Sequence, residues 1–332
     1  MRSLSFIILP AAMLLASASA FGGQSVNIEK VKYFNQPNCY KLSNGEVEVI
    51  ATTDIGPRII RYSFVGRDNM LAELGPEAVV KTELGEWHAW GGHRLWHAPE
   101  ELPRTYVPDD SPIKAEKVGS DSVRLVRPVE EATGIEKEIL IKLDASGSRV
   151  TITHKLTNRN LWEIELAPWA LTIVAGGGTT IIPNEPYISH DDKLLPARPI
   201  VVWHYTDLSD PRFTIGKKFI RLHTDEKLDQ PQKLGVLNKQ GWAGYLKHGT
   251  LFVKTFPFDE KATYGDYGCN CETYTGGTFM EIESVGPMTK LGPGKSVTHV
   301  EEWFLFKGVD AGKTEDSLEA ALKPLLSKVG PK

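Results

Sequence analysis

Two glutamates on one predicted strand are the residues of this sequence best suited to acid–base chemistry. Residues 278–285 alternate as a half-buried strand does, which places Glu281 and Glu283 with Phe279 on one face and mainly apolar residues on the other. Two residues along a strand span about 6.6 to 6.8 Å, so the two carboxylates stand side by side at roughly that spacing. Acids beside aromatic rings suit a site for a hydroxyl-rich ligand. The simpler alternative is a half-solvated strand with its acids in water.

Two further acids lie just before this strand. Asp266 and Glu272 flank Cys269 and Cys271 in a stretch that also carries several tyrosines. Carboxylates accept hydrogen bonds from hydroxyl groups and from backbone N–H groups. These acids are therefore expected either to bind a ligand or to cap turns.

A second window, residues 87–103, is rich in aromatic and basic side chains. These side chains are Trp87, His88, Trp90, His93, Arg94, Trp96 and His97, followed by Glu100. We predict a loop here, and binding groups concentrate on loops held between strands. Tryptophan faces can support the apolar face of a sugar ring, while Arg and His donate to its hydroxyl groups. The alternative is that the tryptophans anchor the core and the histidines are buried, satisfied donors.

Metal binding is the other chemistry that this window suggests. His93 and His97 are four residues apart, a spacing that suits a metal when both lie on a helix. The Gly-Gly pair before them and Pro99 after them argue against a helix. The Cys-x-Cys pair lacks the second pair of ligands that zinc takes in such sites. Neither a metal site nor another cofactor is therefore predicted.

Short runs rich in Val, Ile and Thr, separated by Gly, Asp, Asn or Ser, dominate the rest of the chain. The predicted strands span residues 46–52, 58–64, 122–126, 136–143, 149–156, 162–175, 179–182, 199–205, 219–223, 234–237, 242–246, 250–256, 278–285 and 296–306. Their spacing, without helical periodicity between them, favours an all-β fold, a large antiparallel sandwich. Lys254 alternates with apolar residues on one of these strands and is expected to reach a cleft.

Only the C-terminal segment, residues 311–332, predicts a helix. Thr314 can cap it, acids occupy its first turn and an apolar stripe follows. Pro324 should kink this helix or end it early. Residues 21–310 contain no linker or internal repeat, and we expect them to form one domain.

The first twenty residues predict an export signal. Arg2 supplies a positive start, residues 4–15 are apolar, and residues 18–20 are the small residues of a cleavage site. The apolar run is too short for a membrane anchor, so no membrane insertion is expected. The mature chain is expected to begin near Phe21 and to be periplasmic or extracellular.

Charge and cysteine content narrow the partners and the covalent structure. The net charge of −4 is mild and no basic stripe is present, so nucleic acid and anionic membranes are not expected partners. Three cysteines are an odd number for an exported protein. Either Cys39 pairs with Cys269 or Cys271, or all three are buried thiols. A bridge between Cys269 and Cys271 would be strained.

Five segments resemble the galactose mutarotase-like superfamily. They are GPRIIRYSFVGRDNML (56–71), WGGHRLWHAPE (90–100), GWAGYLKHGTLFVKTF (241–256), GCNCETYTGGTFMEIESVGP (268–287) and LGPGKSVTHVEEWFLF (291–306). The resemblance covers about residues 26–306, and its most specific parts are the WGGHRLW and MEIESVGP motifs. It implies a β-supersandwich with a sugar cleft on one sheet. The order of the motifs is similar to that of aldose 1-epimerases.

The resemblance also implies how a reaction would proceed. A base removes the proton of the anomeric hydroxyl while an acid protonates the ring oxygen, and the sugar ring opens. The base is Glu281 or Glu283, and Glu283 is favoured because it lies nearer the end of its strand. The family's acid is a histidine on a central strand, but residues 165–178 contain none. His93 or His97 is therefore expected to replace it.

Ligand contacts follow from the same resemblance. Arg58 and Arg94 are similar to the family's sugar-contacting arginines, with a structural salt bridge as the alternative for Arg58. Trp169 lies in the neighbourhood where the family has its acid, and Trp90 and Trp96 belong to the aromatic window. All three tryptophans are expected to contact the sugar.

Three functions are compatible with these residues. The first is a carbohydrate-binding enzyme with aldose 1-epimerase activity, acting outside the cytoplasm. The second is a carbohydrate-binding protein without activity, which the missing central histidine favours. The third is a glycoside hydrolase or lyase. Neighbouring acids on one strand point in parallel instead of flanking a bond, which ranks this function third.

Overall fold

A computed structural model describes residues 25–329 of the chain. The predicted export signal, residues 1–20, lies outside this range, and so does the end of the tail, residues 330–332. Among the described residues, no helix has the length and apolarity that crossing a bilayer requires.

Strands make up most of the described chain. The first eleven are β1 (Asn27–Tyr33), β2 (Gln36–Ser43), β3 (Val47–Thr52), β4 (Arg58–Phe64), β5 (Val79–Thr82), β6 (Gly85–His88), β7 (Gly92–Ala98), β8 (Lys114–Val118), β9 (Ser122–Val126), β10 (Ile135–Leu143) and β11 (Val150–Asn158). The others are β12 (Ile164–Ala175), β13 (Thr179–Pro183), β14 (Ile200–Val202), β15 (Phe213–Ile215), β16 (Phe219–His223), β17 (Gln232–Val236), β18 (Trp242–Lys247), β19 (Thr250–Thr255), β20 (Cys271–Thr275), β21 (Phe279–Val285), β22 (Thr289–Leu291) and β23 (Ser296–Lys307). A short 3-10 helix spans Arg104–Tyr106, and α1 spans Glu315–Leu326.

The strands form two large antiparallel sheets, as the sequence predicts. The first sheet has the order β1-β2-β3-β4-β7-β12-β21-β20-β17-β14, with β22 paired to β12. The second sheet has the order β15-β16-β13-β18-β19-β23-β11-β10-β9-β8. Strands β5 and β6 form a separate hairpin. Strands β7, β12 and β21 lie at the middle of the first sheet, and they carry most of the residues that matter below.

Apolar side chains from both sheets meet between them. Along β10 every second residue is buried, as expected for a strand with one face in the core. The ring of Trp303 lies 5.7 Å from that of Tyr62 on the first sheet and 5.6 Å from that of Phe252. Full burial of a large apolar side chain stabilises a fold by about 1.5–3 kcal/mol, so this layer holds the two sheets together.

Helix α1 covers the outer face of the second sheet. The Thr314 hydroxyl accepts a hydrogen bond from the Ser317 N–H, so Thr314 caps the helix as predicted. Leu318 and Leu322 are buried against apolar residues of the second sheet. Pro324 lies in the last turn, and the helix ends at Leu326. The helix therefore continues for two residues past Pro324, and the proline does not end it at that position.

The structure corrects the predicted loop at residues 87–103 and decides between the two alternatives for the cysteines. The predicted loop at residues 87–103 is wrong in its centre, because Gly92–Ala98 is the strand β7. Both faces of β7 are covered and all seven residues are buried, so the polar–apolar alternation that identifies a strand is missing. Cys39, Cys269 and Cys271 are free buried thiols, which is the second of the two alternatives.

Candidate functional site

A cavity of about 530 Å³ opens on the face of the first sheet that points away from the core. Its volume lies within the range of small-molecule sites. Side chains from the middle of the sheet and from the segments around it form the walls. They include Trp87, Arg94, Trp96, Glu100, Tyr106, Trp169, Trp203, Tyr205, Lys233, Tyr274, Phe279 and Glu281. The walls are thus mainly aromatic, with two cations and acidic groups among them.

Strand β21 brings one glutamate to the cavity and buries the next. Glu281 lines the cavity and keeps 13% of its side chain exposed. Glu283 points the same way but has no exposed surface. The Trp169 indole N–H donates to Glu283 Oε2 at 2.8 Å, and Lys233 Nζ lies 3.1 Å from the same oxygen. Glu281 is therefore the carboxylate that a ligand can reach, and Glu283 is buried next to it on the same face of the strand.

Lys233 joins Glu283 to a third acid. Its ammonium lies 2.8 Å from Glu272 Oε2 in addition to its contact with Glu283. Burial disfavours the charged form of Lys233, but Glu272 and Glu283 outweigh this effect and raise its pKa well above the usual range. Lys233 is therefore a permanent cation that balances part of the negative charge of these acids.

The buried acids outnumber the cations beside them. Burial raises the pKa of Glu281 to about 7, with the charge of Glu283 adding to the effect and Arg94 opposing it. Burial also raises the pKa of Glu272 to about 8, and Lys233 opposes this shift. Three carboxylates beside two cations thus retain a proton near neutral pH. A group that holds and releases a proton near pH 7 is what acid–base chemistry needs.

Arg94 approaches Glu281 from β7. Its guanidinium lies 3.7 Å from Glu281 Oε1 and stacks between Trp87 and Trp96, 4.3 and 4.5 Å from the two ring centres. Burial lowers the pKa of Arg94 to about 10, and Glu281 opposes this shift, so the side chain stays charged at neutral pH. Arg94 therefore lies on the cavity wall, where the predicted contact with a sugar stays a prediction.

Lys233 forms a second such stack. Its ammonium lies 4.8 Å from the centre of the Trp169 ring and 4.7 Å from that of Trp203. Two Trp–cation–Trp stacks thus flank the acids, and internal cations occupy one face of each tryptophan. Trp96 and Trp169 line the cavity as predicted, but they also hold these cations in place.

A group of aromatic rings at the mouth of the cavity makes no such stack. The Tyr274 ring centre lies 6.5 Å from that of Tyr205 and 6.0 Å from that of Phe279. Tyr205 is 45% exposed. These rings are therefore available to pack against the apolar face of a ligand.

The placement predicted for His93 and His97 is wrong. Alternation along β7 turns Arg94 and Trp96 toward the cavity, so His93 and His97 point toward the second sheet. His93 Nδ1 is 2.9 Å from Thr172 Oγ1, and His97 is fully buried. Burial lowers the pKa of both imidazoles well below the usual value, so both are neutral. Neither residue faces Glu281 or Glu283.

Lys254 is also misplaced by the sequence prediction. It belongs to the second sheet and points into the layer between the sheets, where its ammonium lies 2.6 Å from Glu301. The same ammonium donates to Thr172 Oγ1 at 2.9 Å and to the Ile282 carbonyl at 3.0 Å. Lys254 therefore ties the back of β12 and β21 to the second sheet and does not reach the cavity.

Histidines complete this buried network. His154 Nδ1 is 2.9 Å from the His299 carbonyl and must donate to it, so His154 Nε2 accepts from His93 Nε2 at 2.7 Å. The ligand atoms of His93, His154 and Glu301 lie within 4.8 Å of one another, as they would in a metal site. Each of these groups already has a hydrogen-bond partner or ion-pair partner, so the network is satisfied by the protein itself.

Arg58 and Trp90 support the cavity wall from outside it. Arg58 is fully buried, pairs with Asp109 at 2.9 Å and donates to the Ala89 and Gly91 carbonyls at 2.7 Å. Arg58 thus forms the structural salt bridge that was its alternative, and it does not line the cavity. Trp90 donates to Asp110 at 2.6 Å and is not part of the cavity lining.

The two acids before β21 behave differently from each other. Glu272 is fully buried beneath Lys233, and Asp266 is half-buried beside it. Burial raises the pKa of Asp266, and the positive charge of Lys233 opposes this shift. Glu272 therefore shapes the charge of the site without lining the cavity.

Several residues of the site were not among those singled out in the sequence. Trp203 and Tyr205 lie after β14, at the end of the predicted strand 199–205, and Lys233 lies on β17, one residue before the predicted strand 234–237. The signal that was missed is a lysine inside a short strand whose five residues are all buried. A lysine in that position needs a buried counter-charge.

The raised pKa of Glu281 predicts an effect on stability. Between its ordinary value of 4.5 and its native value of about 7, the native carboxyl binds more protons than the unfolded one. The free energy of unfolding therefore falls as pH rises through this window. Glu281→Gln removes the effect, and we expect the variant to be more stable than the wild type by roughly 1–3 kcal/mol at pH 8, with little difference at pH 4.

Urea unfolding at pH 4 and pH 8 measures this difference. Glu100→Gln removes an exposed acid of the same cavity and serves as the matched control. A Glu281→Gln protein that is no more stable than the wild type at pH 8 contradicts the prediction.

Comparison with known proteins gives similarity at the level of the fold. No protein-family model matches the chain, and no curated protein matches it. A galactose mutarotase-like protein from Lactobacillus casei is 10% identical, with 81% of this chain and 100% of that chain covered and a TM-score of 0.54. A galactose mutarotase related enzyme from Lactobacillus acidophilus is also 10% identical, with 83% and 100% covered and a TM-score of 0.53.

A longer protein is similar as well. The TPR-domain containing protein from Parabacteroides distasonis is 12% identical and has a TM-score of 0.55. The match covers 80% of this chain but only 46% of that one, so this chain spans less than half of its length.

Proposed function

We propose that this chain, which has the galactose mutarotase-like fold, binds a sugar in the 530 Å³ cavity and catalyses proton transfer to it through Glu281. The observation that carries the proposal is the position of Glu281, a carboxyl that meets the cavity with a pKa raised to about 7. The mutarotase-like solved structures support a sugar as the ligand.

Each group has a separate part in the proposed reaction. Ionised Glu281 removes the proton of the anomeric hydroxyl, and the C1–O5 bond breaks as the ring oxygen takes a proton from solvent water. The open aldehyde rotates about C1–C2 and the ring closes to the other anomer, as the ring oxygen returns its proton to solvent and Glu281 protonates the new anomeric oxygen. Arg94 orients the Glu281 carboxylate, and Lys233 holds the Glu283 side chain in place through their ion pair. The rings of Tyr274 and Phe279 pack against the sugar.

Binding without turnover is the second candidate function. Among the described residues that line the cavity there is no histidine, so the acid that mutarotases of this fold are expected to use is replaced or missing. The hydrolase alternative has less support, because Glu283 is buried and cannot flank a glycosidic bond together with Glu281.

Exchange spectroscopy by NMR tests the proposal with a panel of aldoses. We expect the purified protein to speed the exchange between α and β anomers of at least one sugar above the rate in buffer. Calorimetric binding with exchange at the buffer rate supports the second function instead. If no sugar of the panel shows either exchange or binding, both functions are falsified.

We further propose that the protein acts outside the cytoplasm. Mass spectrometry of the protein from an exported fraction tests this: a chain that begins near Phe21 supports the proposal, and a chain with an intact N terminus contradicts it.

A further inference from the structure

A second and larger cavity lies at one end of the sandwich, between the two sheets. Its volume is about 870 Å³, and it shares no lining residue with the first cavity. The turn after β4, the hairpin between β18 and β19 and the end of β23 surround it. It is therefore a separate space that the proposed sugar reaction does not use.

Strand register shows which side chains of the second sheet face this space. Tyr245, Phe252 and Leu305 are paired across β18, β19 and β23, and all three are buried in the layer between the sheets. Side chains along a strand alternate with a period of two. The row two residues further along must therefore face the same way.

That next row consists of Lys247, Thr250 and Lys307. Lys247 pairs with Thr250, and Thr250 pairs with Lys307. Lys307 Nζ lies 5.4 Å from the ring centre of Phe64 on the first sheet, which confirms the inward direction. Two strand spacings separate the lysines, about 9.5 Å at the backbone. The apolar layer between the sheets thus ends in a pair of cations.

These cations have no ionic partner in the part of the chain that the structure describes. Lys247, Lys307 and Arg67, which lines the cavity from the turn after β4, form no salt bridge with any residue of 25–329. Burial lowers the pKa of Lys247, and Asp68 only partly offsets this. An unpaired, partly buried lysine is costly unless a counter-charge arrives.

The acidic residues of the lining supply only part of that counter-charge. Glu46 and Asp68 also line the cavity. Glu46 Oε1 accepts the Gly147 N–H at 2.8 Å, and Asp68 is exposed. The three cations outnumber these two acids, and His248 also lines the cavity, so the cavity is suited to an anion.

We propose that this second cavity binds an anionic ligand, with Lys247 and Lys307 holding a carboxylate, sulfate or phosphate group. Arg67 closes over the group from the opposite sheet. Thr250, between the lysines, donates its hydroxyl to the same group. The site is independent of Glu281 and of the sugar reaction.

Calorimetry with glucuronate, glucose 6-sulfate and glucose 6-phosphate, with glucose as the neutral control, tests the proposal and identifies the oxyanion. We expect at least one of the three to bind, more weakly as salt rises. Lys247→Gln/Lys307→Gln is expected to weaken that binding at least about tenfold, while Lys247→Arg/Lys307→Arg keeps it within about threefold. Tyr274→Ala removes a ring that the proposed sugar packs against in the first cavity and should leave this binding unchanged, which separates this site from the first cavity.

Control variants make the result specific. Lys81→Gln/Lys142→Gln removes the same charge from exposed positions and is expected to bind as the wild type does. Lys307 is exposed, so its substitution should not disturb the fold. If the double variant is unstable, the anion affinity of Lys307→Gln alone is measured instead. The proposal is overturned if none of the three anions binds, or if the exposed pair of substitutions weakens binding as much as the inward pair.

Discussion

Glu281→Gln is expected to lower the rate of anomer exchange by two to four orders of magnitude, the usual contribution of a positioned general acid or base. The amide is close in shape to the carboxylate but cannot take a proton from the anomeric hydroxyl. Because the amide fills the same space and can still form a hydrogen bond with a hydroxyl group, the loss should lie in kcat with binding of the sugar kept within about threefold.

The matched control for this prediction is the variant Glu100→Gln. Glu100 lines the same cavity but is exposed, so its loss should change the exchange rate less than about tenfold. Exchange kinetics of the three proteins, measured at pH 7 with one sugar, give both numbers. A Glu281→Gln enzyme that keeps more than about a tenth of the wild-type rate would move the proton transfer to another group.

Lys254→Met is expected to destabilise the protein by about 3–5 kcal/mol, the cost of leaving one member of a buried ion pair alone. Lys254 and Glu301 are both fully buried, 2.6 Å apart. The methionine fills much of the same volume, so the effect comes from the unpaired carboxylate of Glu301. The midpoint of urea unfolding at pH 7 measures it.

A second substitution separates charge from packing. In Lys254→Met/Glu301→Gln the amide oxygen can accept from the Trp303 indole while the amide NH2 donates to the Ser284 hydroxyl, and no charge is left unpaired. We expect this double variant to recover at least half of the lost stability. If Lys254→Met alone costs less than about 1 kcal/mol, the ion pair is not what holds the back of the first sheet.

The strand alternation around Glu281 was predictable because one face of β21 is buried and the other is not. Phe279 and Glu281 line the cavity, while Met280 and Ile282 lie in the core, as the period of two requires. The antiparallel sandwich followed from the same kind of pattern. The pattern could not decide whether Glu281 or Glu283 meets the cavity, because two residues on one face of a strand differ only in the neighbours that cover them.

The residues that were misplaced share one physical cause. Alternation assigns two side chains to the same face or to opposite faces, but not to the cavity or to the core. Lys254 alternates correctly, yet it lies on the second sheet and therefore meets the back of the first. His93 and His97 lie in a strand that is buried on both faces, where alternation is hidden. Pairing between distant strands decides these positions, and no local pattern contains it.

The alternation of β7 has a consequence for changing this protein by design. Arg94 and Trp96 meet the cavity, whereas His93, Leu95 and His97 meet the interior. A mutant library restricted to Arg94 and Trp96 would vary what the protein accepts and leave the interior face as it is, whereas Gly92, where an added Cβ would lie 2.2 Å from the Ile59 carbonyl oxygen, and the buried Ala98 must stay fixed. Ligand preference and foldability are thus separable within seven consecutive residues.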